Sequence, residues 1–88
     1  MKKIIVYSTS ICPYCIKAKN LLESKKVSYQ EVQLDKHPEL TAEVVKKSGG
    51  QKTVPQIFVD DYHIGGCDDL YALDKEDKLD ALLGITSP

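Results

Sequence analysis

The chain has 88 residues, the length of one domain and not of two, since a compact unit usually takes roughly 50 to 200 residues; residues 1–88 are expected to form a single domain. Hydrophobic residues make up 42% and charged residues 28%, and the charges are dispersed, which excludes disordered, collagen-like and low-complexity classes. Twelve cations, all lysines, face thirteen acids for a net charge of -1, so the chain lacks both the clustered basic excess and the guanidinium fork of a dedicated nucleic-acid binder.

Met1-Lys2-Lys3 leads into Ile4-Ile5-Val6-Tyr7, an apolar run that stops at Ser8, short of the roughly 7 to 15 residues of a secretory h-region. It predicts a strand buried on both faces, as central strands are. A polar loop over 8–11 follows, then Cys12-Pro13-Tyr14-Cys15 and a helix to about residue 25, with Cys15, Ala18, Leu21 and Leu22 at helical spacing. Pro13 suits the first turn of that helix, where its missing N–H would have no partner anyway. Residues 27–34 predict a second strand. Val27 and Tyr29 lie on one phase and Val32 and Leu34 on the other, which leaves its buried face unassigned.

Pro38 opens a second helix carrying Leu40, Val44 and Val45, and Ser48-Gly49-Gly50 ends it. Residues 54–60 predict a third strand with Pro55 near its start, and residues 62–64 a short fourth, joined by an Asp60-Asp61 turn and closed by Gly65-Gly66. Residues 68–73 and 77–83 complete the chain as helix, with Leu70, Leu73, Leu79, Leu82 and Leu83 as the core stripe. The expected architecture is α/β in the order β-α-β-α-β-β-α. A right-handed parallel crossover comes first and an antiparallel hairpin follows, giving a four-stranded mixed sheet flanked by helices. Ligands of open α/β sheets gather beyond the carboxyl ends of parallel strands, here the loop that carries Cys12. No run approaches the roughly 18 apolar residues of a membrane span and no lipidation motif is present, so a cytoplasmic protein without membrane attachment is expected.

Three segments carry chemistry. In the C-x-x-C pair at a helix start, one turn separates two sulfurs that can bond and part with little backbone movement. Cys12, at the positive end of the helix dipole, is favoured as the thiolate nucleophile, and Cys15, one turn inside, as the resolving thiol. A zinc site would need four ligands, and Cys67, His37 and His63 form no second pair at ligand spacing. A static disulfide over so short a loop would add little stability in a reducing compartment. In Thr53-Val54-Pro55, a proline inside a strand forfeits a ladder bond; a cis bond there would leave the Val54 backbone free to pair with an extended peptide, and a trans proline on an edge strand is the alternative. In Gly65-Gly66-Cys67-Asp68-Asp69, two glycines enter a helix whose N–H groups could hold a carboxylate while an aspartate meets an ammonium group; plain capping is the alternative.

Cys-Pro-Tyr-Cys at 12–15, Thr-Val-Pro-Gln-Ile-Phe at 53–58 and Gly-Gly-Cys-Asp-Asp-Leu at 65–70 together resemble, in order and separation, the signatures of dithiol (class I) glutaredoxins of the thioredoxin superfamily. The resemblance covers essentially the whole chain. It implies a thioredoxin-like fold, a cis peptide before Pro55, and a glutathione-disulfide oxidoreductase that reduces protein–glutathione mixed disulfides and protein disulfides. Glutathione would be the co-substrate, with electrons from NADPH through glutathione reductase, and no cofactor or metal would be permanently bound. Implied partners are glutathionylated or disulfide-containing proteins, ribonucleotide reductase being a candidate, with the protein itself a monomer.

By the same resemblance Cys12 would carry the glutathionyl mixed disulfide and Cys15 would resolve. Tyr14 would line the groove, and Thr53, Val54 and Pro55 would meet the cysteinyl unit. Gly66, Cys67, Asp68 and Asp69 would hold the γ-glutamyl end. Many relatives carry lysine three residues before the first cysteine, where this chain has Thr9, so Lys47, Lys52 or Gln51 is expected to replace it as anchor of the glycyl carboxylate. Cys67 is expected to be a small, semi-buried residue used through its backbone. Two other readings belong to different classes. One is a carrier of an iron–sulfur cluster held by Cys12 and glutathione between two protomers, against which Pro13 stiffens the loop. The other is a redoxin reduced directly by a flavoprotein thioredoxin reductase, which would need no glutathione pocket.

Overall fold

Two apolar cores, one on each side of a single sheet, explain the strand patterns. In the computed structural model, which describes residues 2–51 and 53–84, the order is β1 (Ile4–Ser8), α1 (Pro13–Ser24), β2 (Gln30–Gln33), a 3-10 turn (Pro38–Leu40) running into α2 (Thr41–Lys47), β3 (Gln56–Val59), β4 (Tyr62–Gly65), α3 (Cys67–Lys75) and α4 (Leu79–Leu83). The sheet runs β2-β1-β3-β4, with β1 parallel to β2 and antiparallel to β3, and β3 antiparallel to β4. Alternation along β1 sends Ile4 and Val6 to one core and Ile5 and Tyr7 to the other, and β3 divides Ile57 and Val59 from Phe58 in the same way. The first core is closed by Ala18 and Leu22 of α1, Leu70 of α3, and Leu79 and Leu83 of α4; the second by Leu34, Leu40 and Val44.

The mixed four-stranded sheet agrees with the order expected from sequence, with four local corrections. The second strand pairs only over Gln30–Gln33, and its two apolar phases serve the two cores, Val27 and Tyr29 the first, Val32 and Leu34 the second. The third strand begins at Gln56, so Pro55 precedes the ladder and forfeits no bond within it. The 68–73 helix starts one residue earlier, at Cys67. The last helical stretch starts at Leu79 as a separate fourth helix, because Asp77 takes a φ of 59°. Among the described residues no helix is long and apolar enough to cross a membrane.

Buried polar groups on the sheet are satisfied. The Ser8 hydroxyl, fully buried at the carboxyl end of β1, donates to Glu31 Oε2 at 2.7 Å, and Lys19 Nζ donates to the same oxygen at 2.8 Å. The Lys19 hydrogen bond, and then that of Ser8, hold the Glu31 carboxyl below its ordinary range. A carboxylate with a depressed folded pKa contributes stability above its unfolded value, near 4.5, and loses it as the pH falls through the folded value. Urea midpoints measured from pH 6 to pH 3 should therefore fall more steeply for the wild type than for Glu31→Gln, by an amount of order 1 kcal/mol or less. Parallel curves would refute the role of Glu31.

Candidate active site: a dithiol beside a peptide-sized groove

At the amino end of α1, Cys12 has extended backbone (φ −155°, ψ 100°) and occupies the N-cap, with Pro13 at the first helical position. Its sulfur does what a capping oxygen normally does: the Cys15 N–H donates to Cys12 Sγ at 3.1 Å. An amide dipole directed at the sulfur, at the positive end of a twelve-residue helix, stabilises negative charge there. On its other side the Cys12 thiol approaches the Val54 carbonyl at 3.8 Å.

Cys15 differs in kind. It is 1% exposed against 8% for Cys12, and burial first, then the hydrogen bond with Cys12, push its thiol up to about 12. Both sulfurs are free thiols, as is that of Cys67. The asymmetry expected from the C-x-x-C spacing is thus present in the burial of the pair.

Beside Cys12 lies a groove of about 230 Å³ lined by Tyr14, Gln51, Thr53, Val54, Pro55, Gly66, Cys67, Asp68 and Asp69. Three chain segments meet in it: Tyr14 of α1, the first turn of α3, which packs on the same face of the sheet as α1, and Thr53–Pro55, which lead into β3. The Val54–Pro55 peptide is cis. Tyr14 forms one wall with 60% of its surface exposed. The first turn of α3 also lines the groove, and its leading N–H groups have no partner within the helix.

Entry into α3 depends on Gly65 and Gly66. Gly65 has a φ of 122°, and a Cβ there would overlap the Asp69 carboxylate. The room is used: Asp69 Oδ2 accepts from the Gly66 N–H at 3.0 Å, half of a capping box. Asp68 has no side-chain partner among the described residues. Cys67 is buried rather than semi-buried, at 6% exposure, and burial raises its thiol pKa.

Thr9 and the three side chains expected to replace the missing lysine as anchor of the glycyl carboxylate separate. Gln51 lines the groove. The Thr9 hydroxyl donates to the Ile11 carbonyl at 3.4 Å and is not among the lining residues. Lys47 Nζ lies 5.5 Å from the Phe58 ring centroid and is not among the lining residues. Lys52 lies outside the described residues. Sequence reasoning missed Gln56, which is fully buried and donates from Nε2 to Gln51 Oε1 at 3.1 Å and to the Thr53 carbonyl at 2.9 Å. One amide in an otherwise apolar strand was the available signal, since a buried amide needs partners.

A family profile described as Glutaredoxin matches residues 4–64. The chain is 53% identical over 83 residues to the glutaredoxin of Pseudomonas aeruginosa, covering 94% of this chain and 98% of that protein. It is also 53% identical over 83 residues to glutaredoxin 3 of Escherichia coli, covering 94% of this chain and 99% of that protein. Among solved structures, a buckwheat glutaredoxin–glutathione complex superposes with a TM-score of 0.87 at 31% identity, over 94% of this chain and 77% of that one.

Proposed function

The chain belongs to the glutaredoxin family, whose members are glutathione-dependent oxidoreductases with a thioredoxin-like fold, and from that premise we propose that it reduces protein–glutathione mixed disulfides and protein disulfides through Cys12 and Cys15. The observation that carries the reading is the contact of Cys12 Sγ with the Val54 carbonyl: the nucleophile and the groove share one residue. A tripeptide laid in the groove brings its own sulfur to Cys12.

In the first mode, the Cys12 thiolate attacks the glutathione sulfur of a mixed disulfide. A Cys12–glutathione disulfide forms, the sulfur–sulfur bond between glutathione and the protein breaks, and the protein leaves as its thiolate and takes up a proton. A second glutathione attacks the new bond, releasing Cys12 and oxidised glutathione. In the second mode, Cys12 attacks a protein disulfide, Cys15 displaces the protein thiol and forms the Cys12–Cys15 bond, and two glutathiones reduce it.

The cysteinyl unit pairs with the Val54 backbone beside Thr53 and cis-Pro55. The γ-glutamyl carboxylate accepts from the backbone N–H groups at Cys67 and Asp68, past Gly66. Its ammonium meets the Asp68–Asp69 pair, Asp68 with both oxygens uncommitted among the described residues and Asp69 with Oδ1, its Oδ2 being engaged by Gly66. Tyr14 and Gln51 flank the glycyl end.

The domain is taken as residues 1–88, acting as a monomer in a reducing cytoplasm with glutathionylated and disulfide-bonded proteins as substrates. NADPH oxidation coupled through glutathione reductase tests the reading on a cysteine–glutathione mixed disulfide. Turnover requiring glutathione is expected. Turnover with a flavoprotein thioredoxin reductase alone, and none with glutathione, would overturn it.

A further inference from the structure

The fully buried Gln56 carboxamide joins Gln51 and Thr53, which line the groove, to His63 of β4. Its Nε2 faces three oxygens, Gln51 Oε1 at 3.1 Å, the Thr53 carbonyl at 2.9 Å and Thr53 Oγ1 at 3.4 Å, while its Oε1 lies 2.6 Å from His63 Nε2. The orientation of the amide is fixed by elimination. A backbone carbonyl only accepts, so the atom facing Thr53 must be the NH2 group, and the oxygen faces the imidazole. An amide oxygen also only accepts, so His63 carries its hydrogen on Nε2. His63 is in turn held against Phe58, ring centroids 4.8 Å apart and planes inclined at 34°, and Phe58 packs edge-on against Tyr7.

A directed chain results, from the His63 Nε2–H to the Gln56 oxygen, and from the Gln56 NH2 to Thr53 and Gln51. Both receiving residues line the groove. Because Gln51 Oε1 is occupied by Gln56, the group Gln51 has left to offer is its own NH2, a donor, which has no partner among the described residues. We infer that Gln56, fixed by His63, is a positioning residue that sets the glutathione groove: it holds the Thr53 segment beside Cys12 and turns Gln51 so that a donor faces the glycyl carboxylate. This rests on the reading of the groove as a glutathione site. Neither Gln56 nor His63 touches the ligand; both act through Thr53 and Gln51.

The test uses the intact protein and cysteine–glutathione mixed disulfide as variable substrate. Gln56→Leu keeps the volume and removes the donors, and should raise KM for the mixed disulfide about tenfold with kcat within about twofold, as expected when an interaction that pre-orients a binding wall is lost. Alkylation of Cys12 by iodoacetamide, which needs no groove, should stay within about twofold. His63→Leu should raise KM about threefold, whereas His63→Gln, which keeps an N–H donor of similar reach, should restore the wild-type value. The double variant Gln56→Leu/His63→Leu should be no worse than Gln56→Leu alone, because His63 acts through Gln56. Unchanged KM in Gln56→Leu, or equal effects of the two His63 variants, overturns the inference. Should Gln56→Leu fail to fold, the His63 pair decides. A wild type inert with glutathione would defeat the groove reading itself, and this inference with it.

Discussion

Cys12→Ser is expected to lower glutathione-dependent reduction of a small mixed disulfide at least about a thousandfold, while Cys15→Ser stays within about threefold of the wild type. The two residues look equivalent in the motif, and their surroundings make them unequal. The Cys12 sulfur receives an amide hydrogen bond and sits beside the groove; Cys15 is almost fully buried with its thiol pushed up to about 12, so it is protonated at neutral pH. A protonated, inaccessible thiol does not open a disulfide. It acts only after Cys12 has formed a mixed disulfide, by intramolecular displacement, and the glutathionyl route does not require that step. The variants should separate further on a protein disulfide, where Cys15→Ser leaves the mixed disulfide unresolved. Steady-state rates on the two substrate types give the comparison, and equal loss in both variants on the small substrate would refute the assignment.

The largest effect on stability away from the core is expected for Gly65→Ala. The substitution forces a φ of 122° on an L residue and drives its Cβ into the Asp69 carboxylate, to within 2.8 Å of Cγ. Strain of this kind costs about 1–3 kcal/mol, and displacing Asp69 removes the cap on the Gly66 N–H, worth about 1 kcal/mol more. For a domain of this length that corresponds to a fall in Tm of roughly 10–25 °C. The loss should extend to the groove, since the first turn of α3 forms one of its walls: KM for the mixed disulfide should rise in whatever fraction remains folded. A thermal melt within about 3 °C of the wild type would show that the 65–66 corner can relax, contrary to the close approach seen here.

Much of this was legible in the chain because the determinants were local. Pro13 after Cys12 marked the helix start, the Ser48-Gly49-Gly50 stop ended α2, and the Asp60-Asp61 pair turned the hairpin. The gathering of Tyr14, Thr53–Pro55 and 66–69 around one groove, with Cys12 in contact with Val54, was expected from spacing and family resemblance together. What the sequence left open depended on distant contacts. Val27–Tyr29 and Val32–Leu34 could not be given faces until two cores existed to receive them. Which of the considered side chains reach the groove depended on distant contacts, such as that of Lys47 with Phe58, and Gln56 read as one polar letter in a strand until its partners 51, 53 and 63 were brought around it.

The sulfur of Cys12 caps α1 and is also the atom that forms and breaks bonds with substrate. These two tasks share one acceptor, so they are thermodynamically linked: whatever strengthens the bond from the Cys15 amide to the free sulfur steadies the helix end and favours the free sulfur over its bonded forms. Helix stability and electron affinity cannot be adjusted independently at this position. Evolution of a more oxidising or more reducing variant on this scaffold would have to act through the neighbours of the cap, or accept a change in the firmness of the fold's first turn.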